Sequence, residues 1–141
     1  MNGHLVKDWM TMDPITIPSR CTLPEAYWLM IKNNIRRLPV VDDGVLVGIV
    51  TLEDLRRVES TSTFGFDMLR ISDMLSKLPI HQIMVSDPIT VAPTDTLLDT
   101  ATMMLEHKIS AFPVMDGEEL VGIITESDIF RALIEREQTG D

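Results

Sequence analysis

The chain carries one segment twice. Met10-Thr-Met-Asp-Pro-Ile-Thr-Ile17 recurs 74 residues on as Met84-Val-Ser-Asp-Pro-Ile-Thr-Val91. The same offset pairs Thr22-Leu23 with Thr96-Leu97, Ile35 with Ile109, Pro39-Val40 with Pro113-Val114, and Asp42 with Asp116. It also pairs Leu46-Val-Gly-Ile49 with Leu120-Val-Gly-Ile123, Thr51 with Thr125, and Asp54 with Asp128, without a gap. A duplication this close means that whatever one copy folds into, the other folds into as well. Two copies are too few for a solenoid, which needs about three or more repeats to bury its faces. A closed pair with pseudo-twofold symmetry, each copy shielding the apolar face of the other, is the expected solution.

Each copy reads as β-α-β-β-α, so the fold class is α/β (α+β). Asp13-Pro14 and Asp87-Pro88 are turns, and Ile15–Ile17 and Ile89–Val91 are short strands. Thr22-Leu-Pro-Glu25 and Thr96-Leu-Leu-Asp99 open helices, each with a threonine N-cap and an acid three residues later. Leu23, Ala26, Tyr27, Met30 and Ile31 then follow helical spacing, as do Leu97, Ala101, Met104 and Leu105. That stripe predicts a buried face, with the tyrosine and the methionines in the core. A hairpin follows, Leu38–Val41 and Val45–Val50 around Asp42-Asp43-Gly44, and again Phe112–Met115 and Leu120–Ile124 around Asp116-Gly117. Closing helices are expected over 52–58 and 126–136. The domains are therefore 6–58 and 80–136. Between them, residues 59–79 are a linker: a polar loop at Glu59–Thr63, then a helix over Asp67–Leu78 with Met68, Ile71, Leu75 and Leu78 on one side. Gly140-Asp141 reads as a frayed tail.

Composition excludes several classes. The formal net charge is −10, which repels nucleic acid and anionic membranes. An anionic ligand would be repelled too, so its pocket must supply local positive potential. The single cysteine, Cys21, rules out an intrachain disulfide and fits a reducing cytoplasm. The first eight residues hold no apolar core of a leader peptide, and runs such as Val45–Val50 fall far short of the roughly 20 residues that span a bilayer. No metal and no catalysis are expected. Cys21 has no nearby histidine, and its counterpart is Asp95. His4, His81 and His107 lack ligand spacing, Glu118-Glu119 sits at a hairpin turn, and no glycine-rich phosphate loop is present.

The residues so far carry a family resemblance. Met-x-x-Asp-Pro-Ile-Thr, Thr-Leu at a helix start, Leu-Pro-Val-Val-Asp and Phe-Pro-Val-Met-Asp are its lesser parts. Its main part is Gly48-Ile-Val-Thr51-Leu-Glu-Asp54 with Gly122-Ile-Ile-Thr125-Glu-Ser-Asp128, the family's Gly-hydrophobic-x-Thr/Ser-x-x-Asp element. From about Val6 to Ile134 the chain resembles a pair of cystathionine-β-synthase (CBS) domains, a Bateman module, of the stand-alone kind. The resemblance implies two packed sheets and two symmetry-related clefts for adenosine compounds. It also implies association of modules into homodimers, and a regulated protein partner. An adenine nucleotide (AMP, ADP or ATP) is then a ligand, and no cofactor is required.

Thr51 with Asp54, and Thr125 with Asp128, have two readings. Both pairs make good capping boxes. A helix N-terminus also attracts phosphate, and a carboxylate suits ribose hydroxyls. The resemblance assigns the aspartates to ribose and the threonines to ribose or phosphate. It gives Ile15-Thr16-Ile17 and Ile89-Thr90-Val91 as adenine walls, with more lining from Arg36, Arg37, Leu38 and Pro39, and from Ser110, Ala111, Phe112 and Pro113. Gly48 and Gly122 would let a backbone or a ligand come close. Arginine is the preferred phosphate partner, and Arg36-Arg37 has only Ser110-Ala111 opposite it in the second copy. Two unequal sites are therefore expected, the arginine-bearing one favouring phosphorylated ligands. The rival reading is a ligand-free scaffold for dimerisation or protein contacts.

Overall fold

The computed structural model describes residues 4–62 and 77–140, with backbone alone at 59–62. The elements are β1 (Thr11–Met12), α1 (Leu23–Asn33), β2 (Arg37–Asp42), β3 (Val45–Thr51), α2 (Leu52–Ser62), β4 (Val85–Ser86), α3 (Leu97–His107), β5 (Ala111–Asp116), β6 (Glu119–Thr125) and α4 (Glu126–Thr139). Helix is mixed with two three-stranded antiparallel sheets, β2-β3-β4 and β1-β6-β5.

Contacts divide the chain into two compact units. One runs Ile15–Pro88, and the other joins the segment ending at Pro14 to the segment beginning at Ile89. Each sheet thus takes its third strand from the stretch that opens the other sequence repeat. In the first unit Gly48 pairs with Ser86 and Ile49 with Val85; in the second, Thr11 pairs with Ile123 and Met12 with Gly122. The glycines explain how the borrowed strand lies so close. A Cβ on Gly48 would stand 2.9 Å from the Val85 carbonyl and against the Met84 sulfur, and one on Gly122 would stand 2.8 Å from the Thr11 carbonyl and against the Met10 sulfur. The close approach is therefore to backbone and a methionine, and the repeated methionine and the repeated glycine are two halves of one contact.

The hairpins form at the expected places; β2, β5 and β6 are one residue longer at both ends, and β3 is longer only by Thr51. Arg37 faces Thr51 and Asp42 faces Val45; Ala111 faces Thr125 and Asp116 faces Glu119. Their turns differ. Asp43 and Gly44 both have positive φ, whereas in the second hairpin Gly117 alone does. A two-residue turn of the first kind needs positive φ at both central positions and one of the second kind only at the first, which is why the glycine shifts by one place.

Several expectations change. Ile15–Ile17 and Ile89–Val91 are not strands; only Ile17 and Val91 make single parallel bridges, to Val40 and Val114. The prolines on either side supply no N–H to a ladder. In α1 the buried face is Ala26 and Met30, in α3 it is Thr100 and Met104, while Tyr27, Ile31 and Leu105 are exposed. The packed stripe is one residue narrower than the apolar pattern. Thr100 sits in the core because its hydroxyl donates to the Thr96 carbonyl at 2.8 Å. Thr96 caps α3 through the Asp99 N–H, but Thr22 makes no such bond. The Leu23 N–H goes to the Leu78 carbonyl just as the Leu97 N–H goes to that of His4, and the difference is Pro24, which has no N–H and leaves the first turn of α1 one donor fewer to satisfy. Helix α2 continues through Ser62, where a loop was expected from Glu59. Gly140 is the left-handed C-cap of α4 rather than part of a frayed tail. The linker helix lies outside the described residues except Lys77 and Leu78, which are not helical.

Each unit has its own core. Ile17, Ala26, Met30, Leu38, Val40, Val50, Leu55 and Ile80 fill the first. Val6, Val91, Met104, Phe112, Val114 and Ile124 fill the second.

Candidate functional site

Within each unit, one end of the hairpin gathers the candidate residues. The N–H of Leu52, first in α2, donates to the Arg36 carbonyl at 2.8 Å, and the N–H of Glu126, first in α4, donates to the Ser110 carbonyl at 2.9 Å. The residue before each Leu/Phe-Pro-Val strand is thereby tied to the helix start carrying Thr-x-x-Asp. From the other side, the Ile17 N–H donates to the Pro39 carbonyl and the Val91 N–H to the Pro113 carbonyl, both at 3.1 Å. So Ile17, Arg36–Pro39, Thr51 and Asp54 belong to one unit, and Val91, Ser110–Pro113, Thr125 and Asp128 to the other.

Their exposure divides them. Ile17, Leu38, Pro39, Val91, Ala111, Phe112 and Pro113 are buried, so these side chains pack the interior. Ile15, Thr16, Arg36 and Thr90 are exposed, while Ile89, Arg37, Ser110, Thr51, Asp54 and Thr125 are half-buried.

Both Thr-x-x-Asp starts are reciprocal capping boxes. The Thr51 N–H donates to Asp54 Oδ2 at 3.0 Å, and the Asp54 N–H to Thr51 Oγ1 at 3.1 Å. The Thr125 N–H donates to Asp128 Oδ2 at 2.9 Å, and the Asp128 N–H to Thr125 Oγ1 at 3.4 Å. In the second box the Thr125 hydroxyl also lies 3.2 Å from Asp128 Oδ2. The boxes place a backbone-anchored carboxylate at the positive end of a helix, twice.

Two residues escaped the sequence reading. Arg57 reaches Asp54 Oδ1 at 3.4 Å, and Arg131 bonds Asp128 Oδ1. The signal was available, because Thr-x-x-Asp-x-x-Arg repeats at the common offset, and i,i+3 spacing puts the arginine beside the acid.

At the other end of β2, Pro18, Ser19, Arg20, Val41, Asp42 and Asp43 line an open groove of about 460 Å³. Asp42 accepts from the Ser19 N–H at 2.9 Å and from its hydroxyl at 2.5 Å. Those two bonds hold its carboxyl below the ordinary value, with Arg20 and His81 adding charge. The β2 strand, roughly 16 Å long at about 3.3 Å per residue, separates this groove from the Thr51 end. Among the described residues no cluster of His, Cys, Asp and Glu could hold a metal ion, and no helix is long and apolar enough to cross a membrane.

Cys21 is buried, and its thiol donates to Glu25 Oε2 at 3.2 Å. Desolvation first, then the Glu25 hydrogen bond and charge, push its pKa from 9.0 up to about 12. The folded state thus holds its proton where the unfolded state loses it. The stabilisation is complete below pH 9 and is lost as pH rises toward 12. We expect a thiol reagent at pH 8 to label Cys21 only as fast as the unit opens. Labelling at the rate of a free thiol would contradict the burial.

The CBS domain model matches residues 6–60 and 80–135. Protein MJ1225 of Methanocaldococcus jannaschii is 32% identical over 132 residues, covering 92% of this chain and 47% of that protein. The chain thus spans about half of that relative, and less than a quarter of the sulfurtransferase relative from the same organism. Among solved structures, the CBS domain pair of protein MJ0100, in complex with 5-methylthioadenosine and S-adenosyl-L-methionine, superposes with a TM-score of 0.80. It is 34% identical, with 94% of this chain and 97% of that one covered. CBSX2 of Arabidopsis thaliana, in complex with AMP, gives a TM-score of 0.78 at 28% identity, with 95% and 98% covered.

Proposed function

The chain belongs to the CBS domain family, with two copies of the domain, and from that premise we propose that it is a non-catalytic regulatory module binding adenosyl compounds at its two Thr-x-x-Asp helix starts. One observation carries the reading. At both helix starts a carboxylate and a threonine are fixed beside the residue that precedes the Pro-Val strand. Related CBS pairs crystallised with AMP, or with S-adenosyl-L-methionine and 5-methylthioadenosine, support it.

Each part has a task in this reading. The aspartates accept from ribose hydroxyls, the threonines bond ribose or phosphate, and the helix N-termini favour negative charge. Thr16 with Ile15, and Thr90 with Ile89, flank the adenine, with Leu38, Pro39, Phe112 and Pro113 as the packed floor behind it. Arg36 and Arg37 make the first unit's site the one that prefers phosphates; Ser110 and Ala111 leave the other to an adenosyl compound with an uncharged tail. Residues 6–58 and 80–136 are the two repeats of a cytoplasmic homodimer that passes the ligand signal to a regulated protein. Regulation requires that ligand bind two states of the module unequally.

Titration calorimetry with AMP, ATP, S-adenosylmethionine and adenosine tests the site. Asp54→Ala and Asp128→Ala are each expected to abolish one binding event, while losing about 1 kcal/mol of stability as a cap. Arg36→Ala or Arg37→Ala should weaken ATP more than adenosine. Stability loss with binding unchanged would leave the aspartates as caps, and wild type binding none of the four compounds would favour the ligand-free scaffold.

A further inference from the structure

Each unit leaves a cluster of large apolar side chains uncovered, and the two clusters sit on helices that do not correspond. In the first unit α1 packs beside α2, and in the second α3 packs beside α4. On α1, Tyr27, Trp28 and Ile31 stand within about one turn and are from 42% to 57% exposed. Their counterparts on α3 are Ala101, Thr102 and Leu105. Leu98 and Leu105 are exposed there, but two turns apart with the exposed Thr102 between them. On α4, Phe130, Leu133 and Ile134 stand within about one turn, each more than half exposed. Their counterparts on α2 are Arg56, Glu59 and Ser60. The duplication kept the fold and moved the apolar patch from the first helix of the pair to the second. A contiguous exposed patch of this kind marks an interaction surface.

We propose that the two patches are the halves of one interface: the α1 patch of the first unit docks on the α4 patch of the second unit of another copy of this chain, and a twofold axis makes the contact twice. The proposal rests on the homodimer reading and adds which surface meets which. Charge selects this pairing over like on like. By sequence, α3 and α4 carry six acids against two basic residues, while α1 and α2 carry four against three. Second unit on second unit would bring two acid-rich helix pairs together, at a cost in like-charge repulsion. Second unit on first sets the acids against Lys32, whose ammonium stands 4.5 Å from the centre of the Trp28 ring, and against the exposed Arg56. With α1 on α4, the basic residues of α2 fall to α3, where Asp99 and Glu106 are exposed. Trp28 and Tyr27 are the residue types that carry most energy when an interface buries them.

The test is sedimentation equilibrium of the full chain without ligand. Ile31→Lys and Leu133→Glu each put a charge into both symmetric contacts and should weaken the dimer about hundredfold. In the double variant the lysine of one copy faces the glutamate of the other, so the dimer should return to within about tenfold of wild type. Trp28→Lys and Ile134→Glu, on the same two patches, carry the test if a first variant is unfolded. A double variant weaker than either single one would show like patches meeting and overturn the pairing. Single variants that dimerise as wild type does would take the patches out of the interface. A wild-type monomer would defeat the homodimer reading itself, without touching the adenosyl sites that calorimetry tests.

Discussion

Phe112→Ala should lower stability by about 3–5 kcal/mol, a large part of the roughly 5–15 kcal/mol that holds a typical domain together. Phe112 is fully buried and is the largest of the fully buried side chains among the described residues. Around it stand Val6, Val91, Met104, Val114 and Ile124. Val6 comes from the exchanged N-terminal segment and is itself fully buried, so the cavity would also loosen that segment. Leu38 holds the matching place in the first unit, and Leu38→Ala should cost about 2–5 kcal/mol. Leu105, 83% exposed, is the control, and its alanine variant should lie within about 0.5 kcal/mol of wild type. Urea unfolding midpoints decide the matter. A Phe112→Ala loss no greater than that of Leu105→Ala would contradict the packing described.

Gly48→Val should be the other severe change. Its Cβ would meet the Met84 sulfur at 2.5 Å and the Val85 carbonyl at 2.9 Å. The thioether can rotate away, but the carbonyl is fixed in the β3–β4 pair. Even Gly48→Ala should cost about 1–3 kcal/mol as an overpacked contact, and valine more. Met84→Ala in the Gly48→Ala background should restore only the part due to sulfur, which a double-mutant cycle in urea can read. A neutral Gly48→Ala would mean that the borrowed strand does not lie against β3.

That contact also marks how far the sequence is legible. Local signals were sufficient for the hairpins and the Thr-x-x-Asp boxes, because each depends on neighbours a few residues apart, and the duplication is plain from identities at one constant offset. The exchange of β1 and β4 was not legible. Each is two residues long, too short for a periodicity, and its partner lies far along the chain. Gly48 and Gly122 announced a close approach without saying to what. Tyr27, Ile31 and Leu105 fit a helical stripe, yet spacing alone does not give the width of the face that a three-stranded sheet covers. Of the candidate site, the residue types and the Arg36-Arg37 asymmetry could be read directly. That Arg57 and Arg131 stand beside the two carboxylates follows from their i,i+3 spacing; that each meets Oδ1 rather than Oδ2 could not be read, since it depends on side-chain direction.

The most direct test of the adenosyl-site reading is a difference electron-density map from crystals grown with saturating AMP. The account predicts nucleotide density with the ribose hydroxyls within hydrogen-bond distance of Asp54 or Asp128 and the phosphate near the same helix N-terminus. Empty density at both boxes, or AMP seated instead in the groove between Pro18 and Asp43, would contradict it.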